Sequence, residues 1–281
     1  MAESALISAA ELREHLEEIL VLDVQYTLDG QGPRLYAAAH LPGAAHLDLD
    51  TVLADPPGVR GRHPLPTAAR LQDGLRAVGV HDDSQVVVYD QASSLGAARA
   101  WWTLRWAGVT QVRVLDGGLA AWVRAGGETT AEVSHVARGT VTVRPGSVPV
   151  LEVDDVPVFL DGGGTLLDAR TAERFRGEVE PIDTEAGHIP GALNLPIAQV
   201  LDPDGTFASP EAIRAALADH GIPADGAVAT SCGSGITAAQ LTLALREAGI
   251  DSVPYIGSWS EWIQDPARPR ATGVGGPATS T

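Results

Sequence analysis

Short apolar runs recur along this chain and are separated by longer segments that mix apolar and polar residues. Four of the runs have the length of a strand and carry a polar residue at their last or second-last position: LVLDV at 20–24, VVVYD at 86–90, TLLDA at 165–169 and AVATS at 227–231. Apolar strands that alternate with helical segments are typical of a parallel sheet with helices on both faces. We therefore predict an α/β fold.

Helix boundaries are marked by capping residues. Ser8 and Glu11 have the spacing of a capping box and predict the start of a helix. The pair Ser209-Pro210 predicts the start of another, which should end before Gly221. Residues 126–150 show no helical periodicity, and we expect them to be a connection.

The same landmarks occur twice and in the same order. HLPGA at 40–44 matches HIPGA at 188–192, which is an offset of 148 residues, and LDGGLAAW at 115–122 matches YIGSWSEW at 255–262, an offset of 140. Matching segments at similar offsets indicate an internal duplication. We therefore predict two tandem domains, each a parallel sheet flanked by helices, and assign them to residues 1–130 and 151–265. Residues 131–150 would be the linker, and 266–281 a partly disordered C-terminal tail.

The two halves differ where a reactive residue could lie. In each half a helix ends at an Ala-Gly pair, at Gly108 and at Gly249. Counting back from these glycines places Gln91 of the first half at the position of Cys232 in the second. We therefore predict that the first domain is catalytically silent.

Composition and charge exclude several classes of function. The net charge of −17 argues against binding to nucleic acid or to an anionic membrane surface. All 19 basic residues are arginine, so mechanisms that need a lysine, such as a Walker A loop or a Schiff base, are excluded. The apolar runs are far shorter than the roughly 20 residues that span a bilayer. Glu3, Glu11 and Arg13 lie where a signal peptide would be apolar, and we expect a cytoplasmic protein.

Cys232 is the only cysteine, so it cannot form an intramolecular disulfide or a multi-cysteine metal site. It lies in the loop CGSGIT, between the strand AVATS and a helix that should begin near Thr237. Ligands bind at the carboxyl ends of parallel strands, where such loops lie. Gly233 and Gly235 allow backbone N–H groups to form an anion-binding nest, and the helix dipole points to the same place. Both effects favour a thiolate, or a terminal sulfur carried on the cysteine.

Other interpretations of this cysteine remain open at this point. A single cysteine is often an inert, buried apolar residue. A phosphatase loop would carry an arginine six residues after the cysteine, but Ala238 stands there. A cysteine peptidase would need a partner histidine, and no sequence feature selects one.

The motifs resemble those of a known family. CGSGITA at 232–238 resembles the CGSGVTA active-site loop of the 3-mercaptopyruvate sulfurtransferases, which belong to the rhodanese superfamily. Similar motifs elsewhere are the two HxPGA segments, the DxR of 168–170, ERFRGEVEP at 173–181 and GSWSEW at 257–262. The resemblance implies two rhodanese-like domains, no metal or other cofactor, and a persulfide formed on Cys232. Sulfur from 3-mercaptopyruvate would pass to a thiol, to cyanide or to a thioredoxin-like reductant.

The resemblance also implies the roles of other residues. Arg174 would bind the anionic donor, and a proton-handling chain would consist of Ser234, His63 and Asp50. Loop backbone groups would contact the substrate or the carried sulfur; they belong to Gly233, Gly235, Ile236 and Thr237.

One position departs from the family pattern. Some members carry a second substrate arginine nine residues after the first, but this chain has Asp183 there, and Arg176 is the nearest substitute. His40 and His188 recur in both halves, so we expect them to be structural.

The donor remains a choice between two anions. Thiosulfate-specific rhodaneses resemble this chain but place an arginine and a lysine directly after the cysteine, whereas Gly233 and Ser234 are neutral. This difference favours 3-mercaptopyruvate, and thiosulfate is the alternative. A second alternative is a non-catalytic module that binds or senses sulfur.

Overall fold

The computed structural model describes residues 4–222 and 226–275, which form two compact units. Unit 1 contains the residues up to 55 together with 65–148 and 202–207. Unit 2 contains 56–64 and 149–201, and continues from residue 208. The segment predicted as a linker, 131–150, belongs to unit 1 as far as residue 148, and the sequence analysis did not place 56–64 in unit 2 or 202–207 in unit 1. The segment 56–64 carries a residue predicted for the site.

Unit 1 is built on a five-stranded parallel sheet with the strand order β1-β5-β4-β2-β3. Its strands are β1 Leu6–Ile7, β2 Leu20–Asp23, β3 Ala45–His46, β4 Val86–Tyr89 and β5 Val112–Leu115. Its helices are α1 Ala9–Glu14, α2 Gly32–Ala38, α3 Ala68–Ala77, α4 Leu95–Trp106 and α5 Gly118–Arg124, with a π-helical turn at Leu49–Leu53.

Unit 2 is built on a four-stranded parallel sheet with the strand order β7-β6-β8-β9. Its strands are β6 Thr165–Asp168, β7 Leu193–Asn194, β8 Val228–Ser231 and β9 Ser252–Pro254. Its helices are α6 Asp155–Asp161, α7 Ala172–Arg176, α8 Pro210–Asp219, α9 Ile236–Glu247 and α10 Ser258–Trp262, with a 3₁₀ turn at Ile197–Val200.

The predicted α/β architecture is confirmed, and most predicted boundaries are correct within two residues. The Ser8 side chain accepts a hydrogen bond from the N–H of Glu11 at 3.1 Å, as the capping box requires. The Ser209 side chain caps α8 in the same way. All residues of β4 and β8 are buried, as expected for central strands of a parallel sheet. Within the described residues, no helix is long and apolar enough to cross a membrane.

The duplicated histidines are buried and connect their loops to distant segments through backbone hydrogen bonds. His40 is buried, and its Nδ1 lies 2.7 Å from the carbonyl oxygen of Tyr36, while its backbone pairs with Thr130, in the segment 126–150 that lacks helical periodicity. The equivalent His188 is buried too, and its backbone pairs with Ala271. These contacts support a structural role for both histidines. The predicted tail is therefore held to unit 2 at Ala271, and its residues 276–281 lie outside the described residues.

A partly buried ion cluster at the end of the unit 1 sheet involves His46. Its Nδ1 lies 3.4 Å from Oδ1 of Asp23, and its Nε2 lies 3.8 Å from Oδ2 of Asp48. Burial alone would lower the pKa of His46, but hydrogen bonds and charge from the two aspartates raise it to about 9. The interaction with His46 lowers the pKa of Asp48 to about 2.

We expect His46 to make the stability of the protein depend on pH. A histidine whose pKa is raised on folding stabilises the protein fully below its unfolded pKa of 6.5, and this contribution disappears as the pH rises through about 9. The unfolding temperature should therefore fall over this range, and it should fall less in His46→Asn. Thermal unfolding followed by circular dichroism measures this. His15→Asn, at a half-exposed histidine, is the matched control, and equal slopes in all three proteins would contradict the prediction.

Candidate active site

Cys232 follows β8 directly and is 3% exposed. The N–H of Gly235 donates a hydrogen bond to the Cys232 sulfur at 3.1 Å. Gly235 has φ of +82°, a left-handed conformation that glycine adopts without strain, and this turns its N–H towards the sulfur. Helix α9 begins at Ile236, one residue before the predicted start, so its positive end faces the same loop. The loop therefore presents partial positive charge to the sulfur.

Ser258, which the sequence analysis did not select, completes the surroundings of the cysteine. Its Oγ accepts a hydrogen bond from the N–H of Cys232 at 3.1 Å and lies 4.0 Å from the sulfur. Ser258 has φ of +53°, which is uncommon for a residue with a side chain and is frequent at functional sites. The equivalent Gly118 has φ of +55°. The change from LDGG to YIGS between the repeats was the signal that could have identified this serine.

His63 and Ser234, predicted as members of a proton-handling chain, are neighbours in unit 2. Nδ1 of His63 lies 2.8 Å from Oγ of Ser234, and the serine is buried. The third predicted member, Asp50, belongs to unit 1, where it is an exposed residue of the π-helical turn. Its part in the chain stays a prediction.

Two guanidinium groups approach the residue that follows Cys232. A Cβ atom on Gly233 would lie 2.9 Å from Nη2 of Arg62 and 3.5 Å from Nη2 of Arg174. The predicted Arg174 is therefore next to the reactive loop, and Arg62 is a second cation that the sequence analysis missed. The signal for Arg62 was its position directly before His63. Arg176 instead pairs with the exposed Glu178 at 2.7 Å, so it is not the second arginine of this site.

Asp183 links the two arginines. Its carboxylate forms an ion pair with Arg62, and its other oxygen lies 3.3 Å from Nη2 of Arg174. Glu180 also pairs with Arg174, at 2.7 Å, and accepts the N–H of Asp183 at 3.1 Å. The departure at position 183 therefore does not leave the site with one arginine, because a different part of the chain supplies another.

A deeper ion pair supports this arrangement. Arg170 and Asp168 are both nearly inaccessible, and the guanidinium donates to the carboxylate at 2.7 and 3.1 Å. Burial alone would lower the pKa of Arg170, but Asp168, Glu180 and the nearby Cys232 raise it. Arg170 is therefore near enough to Cys232 for the two side chains to interact electrostatically.

The equivalent loop of unit 1 corrects the alignment made from the sequence. Asp23 pairs with Tyr89 in the unit 1 sheet, and Asp168 pairs with Ser231 in the unit 2 sheet. The next residue is Asp90 in the first case and Cys232 in the second, so Asp90, and not Gln91, stands at the cysteine position. Counting back along the helices gave Gln91 because α4 begins five residues after Asp90, whereas α9 begins four after Cys232.

Asp90 replaces the sulfur with a carboxylate. It is 1% exposed, and its two oxygens accept four backbone N–H groups at 2.8–3.3 Å, from Ala92, Ser94, Gly96 and Ala97. Ser94 occupies a left-handed conformation like that of Gly235 and donates to the carboxylate as Gly235 donates to the sulfur. The loop geometry is therefore kept in unit 1, where the side chain of Asp90 fills it.

Comparisons with known proteins agree with the two-unit α/β fold. The model of the rhodanese-like domain matches residues 8–125 and 153–265. The chain is 46% identical over 283 residues to SseB of Mycobacterium tuberculosis, a protein named for thiosulfate sulfurtransferase activity, with 96% of this chain and 97% of SseB covered. It is 45% identical over 285 residues to a protein of Pseudomonas aeruginosa named for 3-mercaptopyruvate sulfurtransferase activity, covering 97% and 100%.

A solved structure is similar over nearly the whole chain. The crystal structure of SseA from Escherichia coli, described under the rhodanese fold of 3-mercaptopyruvate sulfotransferases, has a TM-score of 0.81 and 32% identity. The match covers 92% of this chain and all of that one.

Proposed function

This chain belongs to the rhodanese-like domain family, and we propose that it is a sulfurtransferase that carries sulfur as a persulfide on Cys232. The observation that carries the proposal is the contact between the Cys232 sulfur and the N–H of Gly235, in a loop flanked by two arginines. The N–H and the neighbouring guanidinium groups present positive charge to the loop, and the nucleophilic form of a cysteine in sulfur transfer is the thiolate.

In the first half-reaction, the thiolate of Cys232 attacks the thiol sulfur of 3-mercaptopyruvate. A bond forms between the two sulfur atoms, and the carbon–sulfur bond of the donor breaks. Its electron pair passes to the carbon as the enolate of pyruvate, which takes up a proton to give pyruvate. A persulfide remains on the cysteine, so atoms and electrons balance without an external oxidant.

The hydrogen bond between Ser234 and His63 supports a route for that proton. The Ser234 hydroxyl lies two residues from the cysteine and shares a proton with the His63 ring at 2.8 Å. We assign the pair to proton transfer between the donor thiol and the enolate carbon, with Asp50 as a further member. A positioned acid–base pair of this kind contributes typically 10²- to 10⁴-fold to a rate.

In the second half-reaction, a nucleophilic acceptor, either a thiolate or cyanide, attacks the outer sulfur of the persulfide. The sulfur–sulfur bond breaks, and its electron pair returns to Cys232, which becomes a thiolate again. A small thiol, cyanide or a thioredoxin-like reductant would serve as the acceptor. The acceptor leaves with one additional sulfur atom.

Thiosulfate is the second candidate donor. The neutral residues Gly233 and Ser234 favour a donor with one carboxylate, but the two guanidinium groups of Arg62 and Arg174 also suit a doubly charged sulfonate. Steady-state kinetics with both donors, measured as cyanide-dependent thiocyanate formation, separates them. A higher kcat/KM for 3-mercaptopyruvate is the expected result, and a higher value for thiosulfate would reverse the assignment.

We expect Arg174→Ala to lower kcat/KM for 3-mercaptopyruvate by about 10- to 100-fold. A charge-assisted hydrogen bond is worth roughly 1.5–3 kcal/mol, and with a net charge of −17 there is no general attraction for an anion. Arg176→Ala removes the same charge two residues away and should change the value by less than about twofold. Equal losses in both variants would show that Arg174 does not bind the donor.

A further inference from the structure

We propose that Asp183 is an internal competitor of the donor: its carboxylate occupies the anion site between Arg62 and Arg174, and the carboxylate of the donor displaces it. This inference rests on the proposed function and specifies how that site selects and releases anions. Asp183 would thereby set the affinity of the enzyme for its donor.

The ion pairs of unit 2 single out Asp183 among the carboxylates near the loop. Asp168 pairs with Arg170, with which it forms several hydrogen bonds. Glu180 forms ion pairs with both Arg170 and Arg174. It also accepts hydrogen bonds from the backbone N–H groups of Ile182 and Asp183. The Asp183 carboxylate contacts the two arginines that approach Gly233, so it is the one whose movement would uncover both of them.

Burial indicates which partner of this cluster the solvent can reach. The Asp183 side chain is 4% exposed, while those of Arg62 and Arg174 are 25% and 16% exposed. The two arginine side chains are therefore more exposed than the carboxylate between them. The carboxylate between them is covered, as a bound ligand would be.

Exchanging one carboxylate for another keeps the number of ion pairs constant. A donor that replaces Asp183 gains the contacts which Asp183 loses, so the net binding energy is much smaller than two new ion pairs would give. Because Asp183 is tethered, its local concentration is of the order of millimolar or higher, and a free donor must exceed it. The arrangement lowers affinity for the donor and, equally, for the carboxylate of the departing pyruvate.

Asparagine at position 183 tests this directly, because it has nearly the same shape but no charge. Pyruvate serves as the probe: it carries the carboxylate without the sulfur, and its binding can be measured by calorimetry without turnover. In Asp183→Asn, the Kd for pyruvate should fall by at least about tenfold, and KM for 3-mercaptopyruvate should fall more than kcat changes. Methyl pyruvate, which has no carboxylate, should bind to Asp183→Asn no more tightly than to wild type.

Glu178→Gln is the matched control. It also removes one negative charge and also releases an arginine, Arg176, but at an exposed pair outside the site. Its Kd for pyruvate should stay within about twofold of wild type. Asp183→Ser provides a second neutral side chain, and thermal unfolding of both variants establishes that they are folded.

The outcomes separate this inference from the proposed function. If wild type forms a persulfide with 3-mercaptopyruvate but Asp183→Asn and Asp183→Ser bind pyruvate no more tightly, Asp183 only positions the arginines and the inference fails. Weaker binding in both variants overturns it in the same way. If wild type forms no persulfide with either donor, the proposed function fails, whereas pyruvate binding still reports on the anion site.

Discussion

Cys232→Ser is expected to lose sulfur transfer by at least about a thousandfold with either donor. A hydroxyl is a far weaker nucleophile than a thiolate, and no other cysteine in the chain can carry the sulfur. Incubation with donor in the absence of acceptor should add the mass of one sulfur atom to wild type and nothing to the variant. Mass spectrometry of the intact protein measures this.

The variant should keep its fold, since serine can accept the hydrogen bond that Gly235 donates to the sulfur. Ser260→Ala, at a neighbouring serine of α10 whose Oγ contacts the backbone of Arg62, is a control for disturbance of the loop surroundings. A Cys232→Ser protein that retains turnover, or that still gains a sulfur atom, would exclude the persulfide mechanism.

Arg170→Gln is expected to destabilise the protein by about 3–5 kcal/mol, because breaking a buried ion pair leaves an uncompensated charge. Asp168 would keep a hydrogen bond but lose its cationic partner. Glu180 would lose one of its two ion pairs, the one with Arg170. The same change should lower persulfide formation, since it removes a positive charge that lies close to Cys232. Urea-induced unfolding measures the first effect, and the rate of sulfur loading measures the second.

The control for this prediction comes from unit 1, where the equivalent aspartate, Asp23, has different partners. There Gln25 bonds to Asp23, and the cation is His46, which pairs with Asp23 across the sheet. In unit 2, Asn194 stands opposite Asp168 where unit 1 has His46. Asn194 donates hydrogen bonds to the carbonyl oxygens of Asp168 and Arg170, which histidine would not fully replace, so adding Asn194→His to Arg170→Gln should recover only part of the lost stability at neutral pH. A double variant no more stable than Arg170→Gln alone would contradict this account.

The sequence predicted those features that depend on residues near each other in the chain. The strands were visible as apolar runs, the helices that begin after Ser8 and Ser209 were visible from their caps, and the duplication was visible from repeated motifs. The loop around Cys232 could be predicted from its local residue order, whereas Arg174, which is distant in the chain, was selected only through the resemblance.

What the sequence did not predict depends on contacts between distant segments. The pairing of Arg62 with Asp183 joins residues 121 positions apart, and no spacing rule connects them. The position of Asp90 was missed by one residue, since the loop lengths of the two units differ and only the register of the strands reveals it. Ser258 was missed because its backbone conformation, rather than its residue type, places its hydroxyl at the cysteine.

The carboxylate of Asp90 has a consequence for how the two units respond to oxidants. A thiolate exposed to peroxide can be converted to sulfenic acid and then to higher acids, and each step changes the size and charge of the group that the surrounding N–H groups must hold. A carboxylate does not undergo this chemistry. Oxidative damage at the anion loop is therefore confined to unit 2, while the loop of unit 1 keeps its shape under conditions that inactivate its counterpart.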